Sequence, residues 1–369
     1  MSGEALVRLS EVRMEGVGKR ARGGWAVQEV SLSVLPGEIY TLLGPPASGK
    51  TTLLRLLAGF ERPDAGHIVV DDAPIDAVPA RDRNIGMVFG GAADHALWPH
   101  MTVGENVAFG LRQRGARGDA LVGLVTRALA RVGLAGVADR RPRDLRDMER
   151  LRAALARALA TEPRLLLLDE PVAALEAPRR APARLELARL LKEAAITTIY
   201  ATRDGAEALA VSTRIAVLTG GRIVQEGKPE DVYWRPRRRA VAELAGGVNL
   251  VPVRVVELRE MGVLAETDGG VRVPVGHGGH PWTVGKRGLL CLRPEALRID
   301  EAALVPGGIP GTVQAYVFEG GRALYDVAIP GAVVRVEMLT TALTGRGFKH
   351  GDRVKIEVSP ETSVLLPAD

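Results

Sequence analysis

The chain has 369 residues, of which 46% are hydrophobic, so it is long enough for two or more domains with buried cores. Its net charge of +5 is modest for this length, and the tightest basic cluster (residues 235–239) has none of the helix or interleaved aromatic pattern of a nucleic-acid surface. The single cysteine, Cys291, excludes an intrachain disulfide and fits a reducing compartment. We expect neither a signal peptide nor a membrane span, because no apolar run has the length that either requires.

The amino-terminal part of the chain predicts strands followed by one helix. Short alternating stretches at residues 6–9 and 30–34 are typical of antiparallel strands. Residues 39–43 form an apolar strand that runs into Gly44. Residues 48–58 then have helical periodicity, and Gly59 is the expected C-cap.

The middle of the chain alternates between helices and buried strands. Residues 95–160 are rich in helix formers and predict a helical subdomain that ends in a helix at residues 151–160. Fully apolar strands are predicted at 165–168, 197–201 and 215–219, with a helix at 185–195. This alternation predicts an α/β core with a parallel sheet.

The pattern changes near Gly246, where helical periodicity fades. Short β-type segments between Gly and Pro turns appear at residues 251–256, 271–275 and 333–336. They predict a second, all-β domain built as a small barrel. We therefore expect a first domain at residues 1–240 and a second at 241–369, with a linker near 236–248.

One motif carries the chemistry of a phosphate site. Residues 44–51, GPPASGKT, fit the pattern G-x-x-x-x-G-K-[ST] between a predicted strand and a predicted helix, which argues against a chance Gly-rich turn. Backbone N–H groups of such a loop bind phosphate oxygens, Lys50 reaches the β- and γ-phosphates, and the Thr51 hydroxyl holds Mg²⁺. The candidate nucleotide-binding residues are Gly44, Pro45, Pro46, Ala47, Ser48, Gly49, Lys50, Thr51 and Thr52.

A pair of acids supplies the second half of the site. The apolar strand at 165–168 ends in Asp169 and Glu170, at the edge where α/β sheets bind ligands. We expect Asp169 to bind Mg²⁺ through water and Glu170 to polarise the attacking water. The alternative, a solvated acidic turn, is disfavoured because the pair follows a phosphate loop.

Together these motifs resemble the ATP-binding subunits of ABC importers for sugars, polyols, polyamines and metal ions. The likeness extends over nearly the whole chain and includes residues 86–89, 99–103, 105–107 and 197–200. Residues 292–295 and 351–354 are similar to the OB-like (TOBE-type) barrel of this class. The resemblance implies an ABC-type P-loop domain with a helical subdomain, followed by that barrel, and ATP and Mg²⁺ as ligands.

The resemblance also implies partners and a location. Two nucleotide-binding domains of this family form a head-to-tail dimer in which each ATP meets the signature sequence L-S-G-G-Q of the other chain. We expect two transmembrane permease subunits and, through them, a solute-binding protein, at the cytoplasmic face of the bacterial inner membrane. We expect no nucleic-acid partner.

Four family elements differ in this chain. Gly90 replaces the Gln after Val-Phe, and Arg203 replaces the switch histidine, where it is a candidate for contacting the γ-phosphate or for an ion pair with Asp204 or Glu207. The D-loop ends in Glu176 rather than Asp. The signature position, residues 145–149, reads LRDME, which brings a carboxylate toward a polyanion, although it would also suit a helix cap.

The adenine-stacking aromatic is missing at Ala21, and Trp25 is the candidate replacement, the alternative being a Trp packed on the sheet. We expect Arg146 to offset the charge of Asp147. Because the phosphate loop and both acids remain, the sequence predicts ATP binding with an impaired hydrolytic site, catalysed by Glu170 with Arg203.

An impaired site favours pairing with a second, intact ATPase subunit, as in glycerol importers. A polyol or sugar is the first expectation for the solute, and a polyamine or metal ion the second. The alternative from another class is a non-catalytic scaffold subunit that binds ATP structurally.

Overall fold

A computed structural model describes residues 9–90, 95–260, 262–301, 308–340 and 347–368. Most of the stretch at 6–9 lies outside the described residues. The chain divides into two units, Met1–Pro229 and Glu230–Asp369, so the division falls before the one expected at residue 240. The expected linker instead contains a short helix, Arg239–Ala245, whose Val241, Ala242 and Ala245 are buried.

The first unit combines an antiparallel sheet, a mostly parallel sheet and six helices among its described residues. Its elements in chain order are β1 (Val12–Ala21), β2 (Gly24–Val34), β3 (Ile39–Leu43), α1 (Lys50–Ala58), β4 (Ala65–Val70), β5 (Ala73–Pro74), β6 (Ile85–Phe89), α2 (Val103–Gln113), α3 (Gly118–Arg131), α4 (Asp147–Leu159), β7 (Leu165–Asp169), α5 (Ala177–Ala194), β8 (Thr198–Thr202), α6 (Gly205–Val211), β9 (Arg214–Thr219) and β10 (Arg222–Gly227).

The parallel sheet positions the candidate site. Its strand order is β10-β9-β3-β8-β7-β6, with β10 antiparallel at one edge. In β7 the side chains of Leu165 and Leu167 enter the core shared with α1 and the antiparallel sheet, whereas Leu166 and Leu168 enter the core shared with the helices α2 to α5. A strand that is buried on both faces has no polar position, which explains its uninterrupted run of leucines.

The helical part of the first unit comprises α2, α3 and α4, within the predicted residues 95–160. Thr102 and Glu105 form a capping box at the start of α2, which satisfies two otherwise unpaired N–H groups. Helix α5 begins eight residues before the predicted start at residue 185. Pro178 lies in the first turn, where proline is tolerated, whereas Pro182 lies inside the helix, where proline usually breaks it, and both hid this start.

The second unit is almost entirely β-structure. Its elements are α7 (Pro229–Trp234), α8 (Arg239–Ala245), β11 (Asn249–Arg259), β12 (Gly262–Thr267), β13 (Arg272–Val275), β14 (Arg287–Leu292), β15 (Arg298–Glu301), β16 (Ile309–Phe318), β17 (Arg322–Ile329), β18 (Ala332–Leu339), β19 (Arg353–Glu357) and β20 (Ser363–Pro367). The described residues of this unit form two five-stranded sheets, β13-β12-β11-β14-β20 and β15-β19-β16-β17-β18, which share one hydrophobic core. This confirms the predicted small OB-like barrel.

Within the described parts of the chain, no helix combines the length and the apolar character needed to cross a bilayer.

Candidate functional site

The phosphate loop lies between β3 and α1, as its sequence predicts. Gly49 begins the helix with φ at +105°, and a Cβ atom there would lie 2.6 Å from the carbonyl oxygen of Ala26, so only glycine fits. The ammonium group of Lys50 donates hydrogen bonds to the carbonyl oxygens of Gly44, at 2.8 Å, and Pro45, at 2.9 Å. The lysine therefore lies across its own loop and places a cation there.

Burial lowers the pKa of Lys50, and the nearby carboxylates of Glu170 and Asp169 act in the opposite direction. A cation that has lost part of its hydration in this way gains more from a phosphate ligand than a surface lysine would.

A hydroxyl and a carboxylate meet beside the loop. The Thr51 hydroxyl donates to Asp169 Oδ1 at 3.2 Å, which joins the first turn of α1 to the end of β7. Burial raises the pKa of Asp169, and the hydrogen bond from Thr51 partly counteracts this. Two oxygen donors suit Mg²⁺, which binds to one or two protein groups and keeps its other positions for water and substrate phosphates. The described residues contain no cluster of three or more His, Cys, Asp or Glu side chains arranged for a metal.

Glu170 occupies a strained position at the end of β7. Its φ of +48° lies in the left-handed region, which costs roughly 1–3 kcal/mol for a residue other than glycine. Its N–H donates to the carbonyl of Ala201 on β8 at 2.8 Å, and its carboxylate lies 3.6 Å from Arg203 Nε. The neighbouring strands thus hold a conformation that Glu170 would not adopt alone.

The Arg203 ion pair differs from the one expected from the sequence. Among the described residues its carboxylate partner is Glu170, not Asp204 or Glu207. Asp204 instead pairs with Arg184 at 2.6 Å and caps α6. Glu207 is buried and accepts hydrogen bonds from the hydroxyls of Tyr200 and Thr202, so both acids are already engaged.

A cavity of about 580 Å³ unites most of the predicted residues. Its lining consists of the tip of the β1–β2 hairpin, the phosphate loop and one acid: Ala21, Arg22, Gly23, Gly24, Trp25, Ala26, Pro46, Ala47, Ser48, Gly49, Lys50, Thr51, Thr52 and Glu170. The remaining predicted residues are Gly44, Pro45, Asp169 and Arg203, which do not line the cavity but contact residues that do.

Trp25 lines the cavity and is 39% exposed, and the edge of its ring packs against Gly18 of β1, so the residue contacts both the cavity and the sheet. The Arg20 guanidinium lies 5.0 Å from the centre of the ring. An exposed aromatic ring at the mouth of a phosphate-binding cavity is able to stack on a nucleobase.

The altered signature segment forms the start of α4. The carboxylate of Glu149 accepts a hydrogen bond from the N–H of Arg146 at 2.7 Å, as the helix-cap interpretation predicts. The ion pairs of Asp147 are with Arg150, at 3.3 Å, and Arg179, at 3.0 Å. The offsetting charge that was expected from Arg146 therefore comes from two other arginines.

Two arginines that sequence reasoning missed hold the D-loop region. Arg180 donates to the carbonyls of Leu175, at 2.9 Å, and Ala173, at 3.4 Å, while Arg179 reaches Asp147 on α4. The side chain of Glu176 is 77% exposed. The sequence contains a signal for these contacts, the Pro-Arg-Arg run directly after the D-loop. Its arginines are hydrogen-bond donors close enough in sequence to reach the carbonyl groups of the loop.

Gly90 is buried at the end of β6, and its N–H donates to the carbonyl of Asp169 at 2.8 Å. The backbone of Gly90 is therefore in direct contact with that of the acidic pair.

Comparisons with known proteins agree with this architecture. The family model described as "ABC transporter" matches residues 27–173, and the model described as "TOBE domain" matches residues 290–366. The chain is 38% identical to a spermidine/putrescine import ATP-binding protein, PotA, of Frankia alni, over 96% of this chain and 79% of that protein. It is 39% identical to the PotA of Chromobacterium violaceum, over 94% of this chain and 97% of that protein.

Two solved structures share the fold of the first part of the chain. The cbiO1 protein of Clostridium perfringens, part of the ABC transporter complex cbiONQ, has a TM-score of 0.55 and 29% identity, over 60% of this chain and 89% of its own. An ATP-binding cassette determined as a dimer with ADP and Pi has a TM-score of 0.51 and 27% identity, over 59% of this chain and 98% of its own.

Proposed function

The chain belongs to the ATP-binding subunits of ABC importers, and we propose that it binds MgATP to drive the uptake of a polyamine. The observation that carries ATP binding is the convergence of Lys50, the Thr51–Asp169 pair and Glu170 on one cavity. The loop N–H groups and Lys50 would hold the phosphates, and Trp25 would stack on the base.

Bound Mg²⁺ would supply electrostatic stabilisation of the phosphate oxygens, and Thr51 and Asp169 would hold it. Glu170 would accept a hydrogen bond from the attacking water and orient it toward the γ-phosphate. Its left-handed backbone and its contacts with Ala201 and Arg203 fix where that carboxylate can reach.

Hydrolysis by this chain is proposed to be slow rather than absent. The position of the switch histidine holds Arg203, and a guanidinium does not replace an imidazole as an acid–base group. Loss of one positioned acid–base group costs about 10²–10⁴ in rate. The scaffold alternative, in which ATP is only a structural ligand, predicts that Glu170 contributes nothing to turnover.

The proposed solute is a polyamine of the spermidine and putrescine class. Support comes from the names of relatives that cover 93% or more of this chain. The sequence alone placed a polyol or sugar first and a polyamine second, and these relatives reverse that order. The sequence ranked the solutes wrongly for a physical reason. The permeases and the binding protein contact the solute, whereas this chain does not, so its residues carry little information on the solute.

We place the chain at the membrane through two permease subunits, with a solute-binding protein as an indirect partner. Pairing with a second, intact ATPase subunit remains a prediction that the relatives described above do not support. Mass measurement of the importer purified through a tag on this chain decides it, because a like dimer contains one kind of ATPase subunit and an unlike dimer contains two.

The function is tested by uptake in cells that lack this gene. Labelled spermidine and putrescine uptake should return with the wild-type gene and fail with Lys50→Ala, whereas glycerol uptake should not depend on the gene. Restoration of glycerol or sugar uptake, with no effect on polyamines, would refute the proposed solute. Unimpaired polyamine uptake with Lys50→Ala would refute the role of the ATP site.

A further inference from the structure

The surroundings of Gly90 leave no space for a side chain at this position. Gly90 extends the parallel pairing of β6 with β7, in which Phe89 lies opposite Asp169. An ideal Cβ atom on Gly90 would lie 1.9 Å from the carbonyl oxygen of Glu170 and 2.4 Å from Pro171 Cα. Both contacts are with backbone atoms, so no side-chain rotation relieves them, and any other residue requires a shift of the backbone at residue 90 or of the turn at residues 169–171.

That turn carries the carboxylate of the site. The backbone of Glu170 is held on one side by its hydrogen bond to Ala201, and on the other by the close approach of Gly90. The left-handed φ of Glu170 persists only while such contacts enforce it. A displaced turn would therefore move the carboxylate away from Lys50 and Arg203 at the cavity.

We infer that Gly90 is a positioning residue for Glu170, and that its lack of a side chain is required for turnover rather than being only a lost glutamine. The inference rests on the proposed ATPase function. It leads to a result opposite to that expected from an eroded motif: Gly90→Gln, which restores the family residue, lowers turnover instead of raising it.

The test compares purified full-length variants for ATP turnover and for affinity toward a non-hydrolysable ATP analogue. Gly90→Ala and Gly90→Gln should each lower turnover by about 100-fold, because a displacement near 1 Å has an effect of that size. Their analogue affinity should change by less than about threefold, since Lys50 and the loop are untouched. Turnover is expressed per molecule that binds the analogue, so that loss of folded protein does not count.

The matched control is Gly86→Ala on the same strand, where a Cβ would meet its nearest atoms at 3.1 Å. It should lower stability and leave turnover per analogue-binding molecule unchanged. The decisive experiment is a double-mutant cycle that combines Gly90→Ala with Glu170→Gln. A purely structural role of Gly90 would not make its effect on turnover depend on Glu170. If Gly90 acts through Glu170, then Gly90→Ala should have no further effect on turnover in the Glu170→Gln protein.

Each outcome separates the two proposals. If Glu170→Gln does not change turnover, the catalytic role of Glu170 fails and this inference fails with it. If Glu170→Gln lowers turnover but Gly90→Ala or Gly90→Gln does not, or if the effects are additive, only the inference on Gly90 is overturned. A Gly90→Ala protein that binds no analogue even in the cold also overturns it, because the role of Gly90 is then structural.

Discussion

Removing the Trp25 ring should weaken nucleotide binding far more than it weakens the fold. Stacking of an aromatic side chain on a base is worth about 1–3 kcal/mol. Trp25→Ala should therefore raise the Kd for ADP by about 5- to 150-fold. The ring is 39% exposed, and its contact with Arg20 is worth about 0.5–1 kcal/mol at such a site. We expect Tm to fall by only about 2–4 °C.

Calorimetric titration with ADP measures the first effect and thermal denaturation measures the second. Trp25→Phe is the control, since it keeps a ring and should retain most of the affinity. Binding of inorganic tripolyphosphate should be the same in the wild-type and Trp25→Ala proteins, because the phosphate loop is unchanged. An unchanged Kd for ADP in Trp25→Ala, together with a large fall in Tm, would show that Trp25 serves the sheet and not the base.

Two further predictions concern charge. Because burial raises the pKa of Asp169, its protonation stabilises the fold at pH below the unfolded pKa of about 3.9, and this stabilisation is lost as pH rises through the folded pKa. Asp169→Asn should therefore melt higher than wild type at pH 7, lose this advantage near pH 4, and bind nucleotide with a weaker dependence on Mg²⁺ because Thr51 remains. A Tm equal to that of wild type at both pH values would contradict the reasoning. In a double-mutant cycle of unfolding by denaturant, Asp147→Ala and Arg179→Ala should show a coupling free energy of less than about 1 kcal/mol, since the ion pair is accessible to solvent. A coupling above about 2 kcal/mol would contradict this and show that the pair holds α4 and α5 together.

The fold was largely predictable because its signals are local. An uninterrupted run of leucines predicts a buried strand such as β7. The fixed spacing of its motif between a strand and a helix predicts the phosphate loop. The start of α5 was not predictable in this way. Its prolines have low helix propensity, yet Ala183, Leu187 and Leu191 pack into the core, and tertiary burial outweighs propensity.

The residue types of the candidate site were predictable, but only some of its pairings were. The Thr51–Asp169 contact follows from the motifs, because both lie at the same edge of the sheet. The ion pair of Arg203 with Glu170 does not follow from the motifs. Two acids close in sequence, Asp204 and Glu207, were the expected partners, whereas Glu170 directly follows the neighbouring strand β7. The close approach of Gly90 to the turn at residues 169–171 is likewise not predictable from the sequence, which indicates only that residue 90 has no side chain.

The contacts of Asp147 change how its substitution bears on the dimer. A bare carboxylate about 4 Å from a phosphate would oppose binding by about 4 kcal/mol at an effective dielectric near 20. Asp147 is not bare, because Arg150 and Arg179 lie 3.3 and 3.0 Å from its oxygens. The three side chains together carry a net charge of +1, so at distances beyond a few ångströms the segment should attract a polyanion rather than repel it. Its altered sequence removes the signature's small donors, but it does not by itself forbid a second chain's ATP from lying opposite.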